Sequence, residues 1–279
     1  PDYLRWLGER FGRYRQQPRQ PVVWIHAVSV GETRAVQPLI EALRRRHPEL
    51  GILLTHMTPA GRATGRALYG DTVLQAWCPY DYPFAVRAFV RHFRPRLALL
   101  VETEVWPNVV DCCREAGVPL WLVNARLSER SARGYRRLGR LAERSFGGLA
   151  GVAAQSEADA ARFRQLGAKN VHVTGNLKFD ASPPPDAAQR AAAFRARFAG
   201  RPVLLAASTR EGEETLLIDA LEACAVPELL FVIVPRHPNR FAAVAELLAR
   251  RGIAFQRRSE ERPVAAATRV WLGDSMGEM

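Results

Sequence analysis

The chain has 279 residues, 48% of them hydrophobic and 24% charged, with a formal net charge of +12. That is long enough for two domains with buried cores, and the apolar content excludes a disordered chain. No apolar run approaches the roughly 20 residues of a membrane-crossing helix, and four cysteines without CxxC spacing (Cys78, Cys112, Cys113, Cys224) argue against a zinc knuckle or a disulfide framework and suit a reducing cytosol.

The first predicted strand, Val22–Ala27, runs into Val28-Ser29-Val30-Gly31-Glu32 and then a helix whose Val36, Leu39, Ile40 and Leu43 repeat at helical spacing. Further strands are predicted at Ile52–Met57, Thr72–Trp77, Leu97–Val101, Leu120–Val123, Val152–Gln155 and Val171–Thr174. Strands alternating with helices at this rhythm predict a parallel, doubly wound α/β sheet. Pro183-Pro184-Pro185 then breaks the rhythm, since three prolines suit neither a helix interior nor a central strand. The alternation restarts with Val203–Ala207, a helix from about Gly212 to Cys224, Leu229–Val234, a helix to Arg251, and Val270–Leu272. The chain thus divides into a first domain over 1–180, a linker over 181–186, and a partial second domain over 187–279.

Open parallel sheets bind ligands at the carboxyl ends of their strands, and two such ends carry glutamates. Glu32, beside Gly31, is either an acidic residue favoured by the helix dipole or a general base next to a glycine that lets substrate approach the backbone. Glu102 and Glu104 follow the fourth strand; if that strand continued through them, both would share a face. Lys178, one of only two lysines among 40 basic residues, is a surface residue of the hinge or a cation facing an anionic group in an interdomain cleft. Ser208 and Thr209 end a strand before a helix and suit either a cap or a phosphate cradle. Arg236 and His237 follow the next strand and suit an anion; no second ligand stands at metal spacing. The arginine-rich surface is a set of solvated helix faces, or a means of holding acidic lipid, nucleotide or nucleic acid.

The strings SVGE, ETEVWPN, NARLSERSARGY, GAKNVHVTGNLKFD, STREGEE, VPRHPNRF and GDSMGEM, in that order, resemble the 3-deoxy-D-manno-octulosonate (Kdo) transferases of lipopolysaccharide synthesis over nearly the whole chain. The resemblance implies a GT-B fold of two Rossmann-like domains with the active site between them, and inverting transfer of Kdo from CMP-Kdo to the lipid A precursor. It implies no cofactor and no catalytic metal. It makes Glu32 the proton acceptor and Glu102 and Lys178 transition-state stabilisers; Pro235, Arg236, Met276, Gly277 and Glu278 match segments that hold CMP. An anionic inner-membrane surface, reached from its cytoplasmic side, is an expected partner, and nucleic acid is not. The family's later glycine-rich segment and its hydrophobic amino-terminal segment have no counterpart between Pro1 and Met279. The chain is therefore expected to be truncated at both ends, to bind CMP-Kdo poorly and not to turn over. The rival readings are a GT-B enzyme using another nucleotide sugar and a basic nucleic-acid-binding module.

Overall fold

The computed structural model describes residues 6–180 and 186–275. The chain divides into two units, Pro1–Ser182 and Pro183–Met279, each built on its own parallel sheet. The expected linker lies, apart from Asp186, outside the described residues.

In the first unit the strands are β1 (Val22–His26), β2 (Gly51–His56), β3 (Leu74–Trp77), β4 (Leu97–Val101), β5 (Leu120–Ala125), β6 (Gly151–Ala154) and β7 (Val171–Val173). They lie in the order β3-β2-β1-β4-β5-β6-β7, every neighbouring pair parallel. The helices between them are α1 (Leu7–Arg10), which precedes β1, then α2 (Val30–Ala35), α3 (Gln37–Arg46), α4 (Pro59–Tyr69), α5 (Pro83–Phe93), α6 (Pro107–Glu115), α7 (Glu129–Arg136), α8 (Arg140–Gly147) and α9 (Glu157–Gln165).

A parallel strand covered on both faces reads as an unbroken apolar run, and β1 is buried along its whole length. Its side chains alternate between two cores, as the period of a strand requires. Val22 and Trp24 join Phe89 and Phe93 of α5; Val23 and Ile25 face Val36 and Ile40 on the opposite side. The predicted helical stripe after β1 therefore packs on the sheet, as its spacing implies. One stretch departs from the sequence reading: β3 begins at Leu74 because Gly70–Thr72 forms a 3₁₀ turn.

The second unit has β8 (Val203–Thr209), β9 (Leu230–Pro235), β10 (Phe255–Arg257) and β11 (Val270–Leu272), ordered β10-β11-β9-β8 and all parallel. Helices α11 (Glu213–Glu222) and α12 (Phe241–Arg250) cover one face through Ile218, Leu221, Val244 and Leu248. The other face packs Trp271 against Phe194 and Phe198, at the end of α10 (Ala187–Arg197). Both α10 and β10 are additional to the elements the sequence pattern predicts. Among the described residues no helix is long and apolar enough to cross a membrane.

Candidate functional site

The strand order reverses direction between β1 and β4, and ligands of open α/β sheets bind in the crevice at such a point. The loops that leave these two strands carry Glu32 and the acidic run from Glu102.

Ser29 has extended backbone and caps α2, its Oγ accepting the N–H of Glu32. In return the Glu32 carboxylate reaches back: Oε1 accepts from Ser29 Oγ at 2.8 Å and Oε2 accepts from the Val28 N–H at 2.8 Å. This is a capping box shifted by one residue, and it fixes the carboxylate against the loop. Thr58, at the start of α4, donates to the Val28 carbonyl at 2.8 Å. Gly61 makes that approach possible, because a Cβ there would stand 2.8 Å from the same carbonyl oxygen. Gly31 is exposed, and a Cβ on it would meet only Ser29 Oγ at 3.8 Å, so no protein neighbour demands the glycine.

Beyond β4 the chain turns at once. Glu102 adopts a left-handed conformation with φ 62°, and its N–H donates to the Val123 carbonyl at 3.0 Å. The strand ends at Val101, so the shared face expected from a continued strand does not arise. The carboxylates nevertheless influence one another. Burial pushes the Glu32 carboxyl above its ordinary range, the bonds from Val28 and Ser29 oppose that, and Glu102 adds to it. Glu104 is also raised, by burial first and then by Glu32, with Glu102 contributing. The indole N–H of Trp106 donates to Glu104 at 3.0 Å.

Pro107 opens α6, whose amino terminus is held by Asp81: its carboxylate accepts the N–H groups of Asn108 and Val109 at 3.1 and 2.9 Å. Asn108 is thus a structural member of its motif, and Asp81, its partner, went unnoticed in the sequence. Residues Thr103 to Pro107 form one wall of a groove of about 360 Å³. Tyr135, Leu138, Leu141 and Phe146 form the other.

Lys178 lies on a 3₁₀ turn, Leu177–Asp180, after β7 at the far edge of the sheet. It is exposed and makes no ion pair among the described residues. The turn lies against α3 and is tied by amides. Asn124 Oδ1 accepts the Leu177 N–H at 3.0 Å, and Asn176 Oδ1 accepts the Lys178 N–H at 3.0 Å.

In the second unit Thr209 and Pro235 are paired at the ends of β8 and β9, which brings Ser208 and Thr209 beside Arg236 and His237. Arg236 and His237 are exposed. Ser208 has φ 60°. Thr209 is buried, and its hydroxyl donates to Glu214 at 3.0 Å; Arg240 holds the other oxygen of Glu214 at 3.0 Å. The Arg210 N–H is taken by the Glu213 carboxylate. Arg236 is therefore an exposed cation at this edge, while Thr209 is committed to the fold. Met276, Gly277 and Glu278 lie outside the described residues. Among the described residues no group of three or more His, Cys, Asp or Glu is disposed to hold a metal ion.

A family model described as 3-deoxy-D-manno-octulosonic-acid transferase (kdotransferase) matches residues 5–181. The 3-deoxy-D-manno-octulosonic acid transferase of Bordetella pertussis is 44% identical over 97% of this chain and 66% of its own length. The protein of the same name in Haemophilus influenzae is 35% identical over 100% of this chain and 67% of its own. The chain thus spans about two thirds of the length of these relatives. A solved glycosyltransferase from Rickettsia africae superposes with a TM-score of 0.58 at 12% identity, over 92% of this chain and 68% of that one. That likeness shows the fold alone, which is of GT-B type.

Proposed function

The chain belongs to the 3-deoxy-D-manno-octulosonic-acid transferase family, and from that membership we propose that it serves the transfer of Kdo from CMP-Kdo to the lipid A precursor. The observation that carries this reading is the Glu32 carboxylate. It is 9% exposed, oriented by Val28 and Ser29, and stands where the strand order reverses.

In the proposed reaction an acceptor hydroxyl attacks the anomeric carbon of Kdo from the side opposite the phosphate. The new C–O bond forms as the bond to CMP breaks; CMP leaves with the electron pair, and Glu32 takes the hydroxyl proton. A carboxyl raised by burial is a stronger base at neutral pH than an ordinary glutamate. Glu102 opposes the positive charge that develops on the sugar ring, and Lys178 opposes the negative charge of the departing phosphate or of the Kdo carboxylate. Pro235 and Arg236 are assigned to CMP together with Met276 to Glu278, and Ser208 and His237 stand beside Arg236. We assign the protein's working place to the cytoplasmic face of the inner membrane. The net charge of +12 supports attraction to anionic lipid there.

The test uses the full-length enzyme with CMP-Kdo and tetraacyl lipid A precursor, product mass being followed by mass spectrometry. Wild type is expected to add a Kdo-sized mass, and Glu32→Gln to abolish it without lowering Tm at pH 7. Full activity in the variant would move the base elsewhere, and equal competition by UDP and CMP would move the donor.

A further inference from the structure

The geometry points to Asn124 as a positioning residue that sets the Lys178 turn through the backbone N–H of Leu177. This inference rests on the reading of Lys178 as a stabiliser of the transition state.

The observation begins with an irregular strand. Between β5 and β6 the pairs Trp121↔Gly151 and Leu122↔Val152 are followed by Ala125↔Ala154, so β5 holds one residue more than its partner there. Such a bulge bends a strand and re-aims a side chain. The extra residue is accommodated at Asn124, whose φ is 51°. Asparagine is among the few residues with a side chain that tolerate this region, where others lose roughly 1–2 kcal/mol.

The re-aimed side chain is 1% exposed. Its Oδ1 accepts the Leu177 N–H at 3.0 Å, across 53 positions of sequence. A second path closes the loop. Gln155 Nε2 donates to the Asn124 carbonyl at 2.9 Å, and Asn176 Nδ2 donates to Gln155 Oε1 at 3.2 Å. Asn176 Oδ1 then accepts the Lys178 N–H. Lys178 is exposed and has no ion pair of its own among the described residues. What fixes its backbone is this ring of amides, anchored on a strand of the central sheet. The same bulge adjoins Val123, whose carbonyl receives the Glu102 N–H. One irregular dipeptide of β5 therefore sets both the carboxylate turn and the lysine turn.

Asn124→Gly keeps the left-handed backbone and deletes only the amide. Two readouts on the full-length enzyme test the inference. Hydrogen exchange is expected to speed at the Leu177 amide by tenfold or more while amides of β1 and β4 stay protected; unchanged exchange at Leu177 would overturn the tether. In a double-mutant cycle, Asn124→Gly is expected to lower kcat about tenfold in wild type and to add little in a Lys178→Ala background. Additive losses would overturn action through Lys178. Full activity of Lys178→Ala alone would sink the Lys178 reading, while the exchange result still decides the tether.

Discussion

The Oγ of Ser29 lies 2.8 Å from Oε1 of Glu32, so the hydroxyl that caps α2 also holds the acidic third residue of that helix. Local helix chemistry and site chemistry are one arrangement here. A change at Ser29 touches both.

Ser29→Ala removes a cap and a donor to the ionised carboxylate. The cap is worth about 1 kcal/mol. Losing the donor raises the Glu32 carboxyl further, because the bond from Ser29 is one of those that lower it. The acid limb of kcat/KM against pH is expected to move to higher pH, and Ser29→Thr to restore it.

Glu102→Gln acts in the other direction. The Glu102 charge raises Glu32, so removing it is expected to shift the same limb to lower pH, whatever happens to the maximal rate. Opposite displacements in the two variants, read from pH–rate profiles, would establish which groups tune Glu32. Displacements of the same sign would refute the arrangement.

The amino-terminal half of the sheet holds two buried histidines in one polar cluster. His26 Nδ1 lies 2.9 Å from Thr55 Oγ1, which also accepts from the Trp24 indole at 2.8 Å. His56 Nδ1 lies 3.0 Å from the Ala27 carbonyl. Burial lowers both histidines from 6.5 to about 4. Between those values the unfolded chain binds more protons than the folded one, so stability falls as pH drops from about 6.5 toward 4 and levels off below. A shift of this size corresponds to about 3 kcal/mol for His26. Urea titrations at pH 7, 5.5 and 4.5, followed by tryptophan fluorescence, should show the decline, and a flat profile would contradict it.

Gly61→Ala brings a methyl within 2.8 Å of the Val28 carbonyl and 3.0 Å of Thr58 Oγ1. Relief requires α4 to move away from the loop, at a cost of about 1–3 kcal/mol. Val28 supplies one of the two bonds that orient Glu32. Activity is therefore expected to fall more steeply than Tm. Unchanged activity with a lowered Tm would show that the loop does not depend on α4.

The central strands were legible because apolar runs such as Val22–Ala27 and Leu97–Val101 are dense, bounded and buried on both faces. The elements missed lack that signal. Helix α10 has no buried residue and is largely alanine, and β10 is three residues long with an arginine at its end. Glu32, Glu102 and Glu104 were legible as a group because each follows a strand. The chain leaves β4 through a left-handed turn at Glu102, which no local pattern announces in a residue that rarely adopts it. Asn124 opens the NARLSERSARGY string, and nothing in that string marks its role. Its position follows from a bulge, and a bulge is a property of two strands rather than of one.

All seven strands of the first unit run the same way, which leaves the opposite ends of those strands free of the chemistry assigned to Glu32, Glu102 and Lys178. The segments that feed β1, β2, β4 and β5 there (residues 16–20, 47–50, 94–96 and 116–119) are natural places to attach a dye, a bead or an affinity handle. A probe immobilised through that end would leave the loops of Glu32 and Glu102 unmodified, whereas one coupled near Trp106 would cover the groove that Thr103 to Pro107 line.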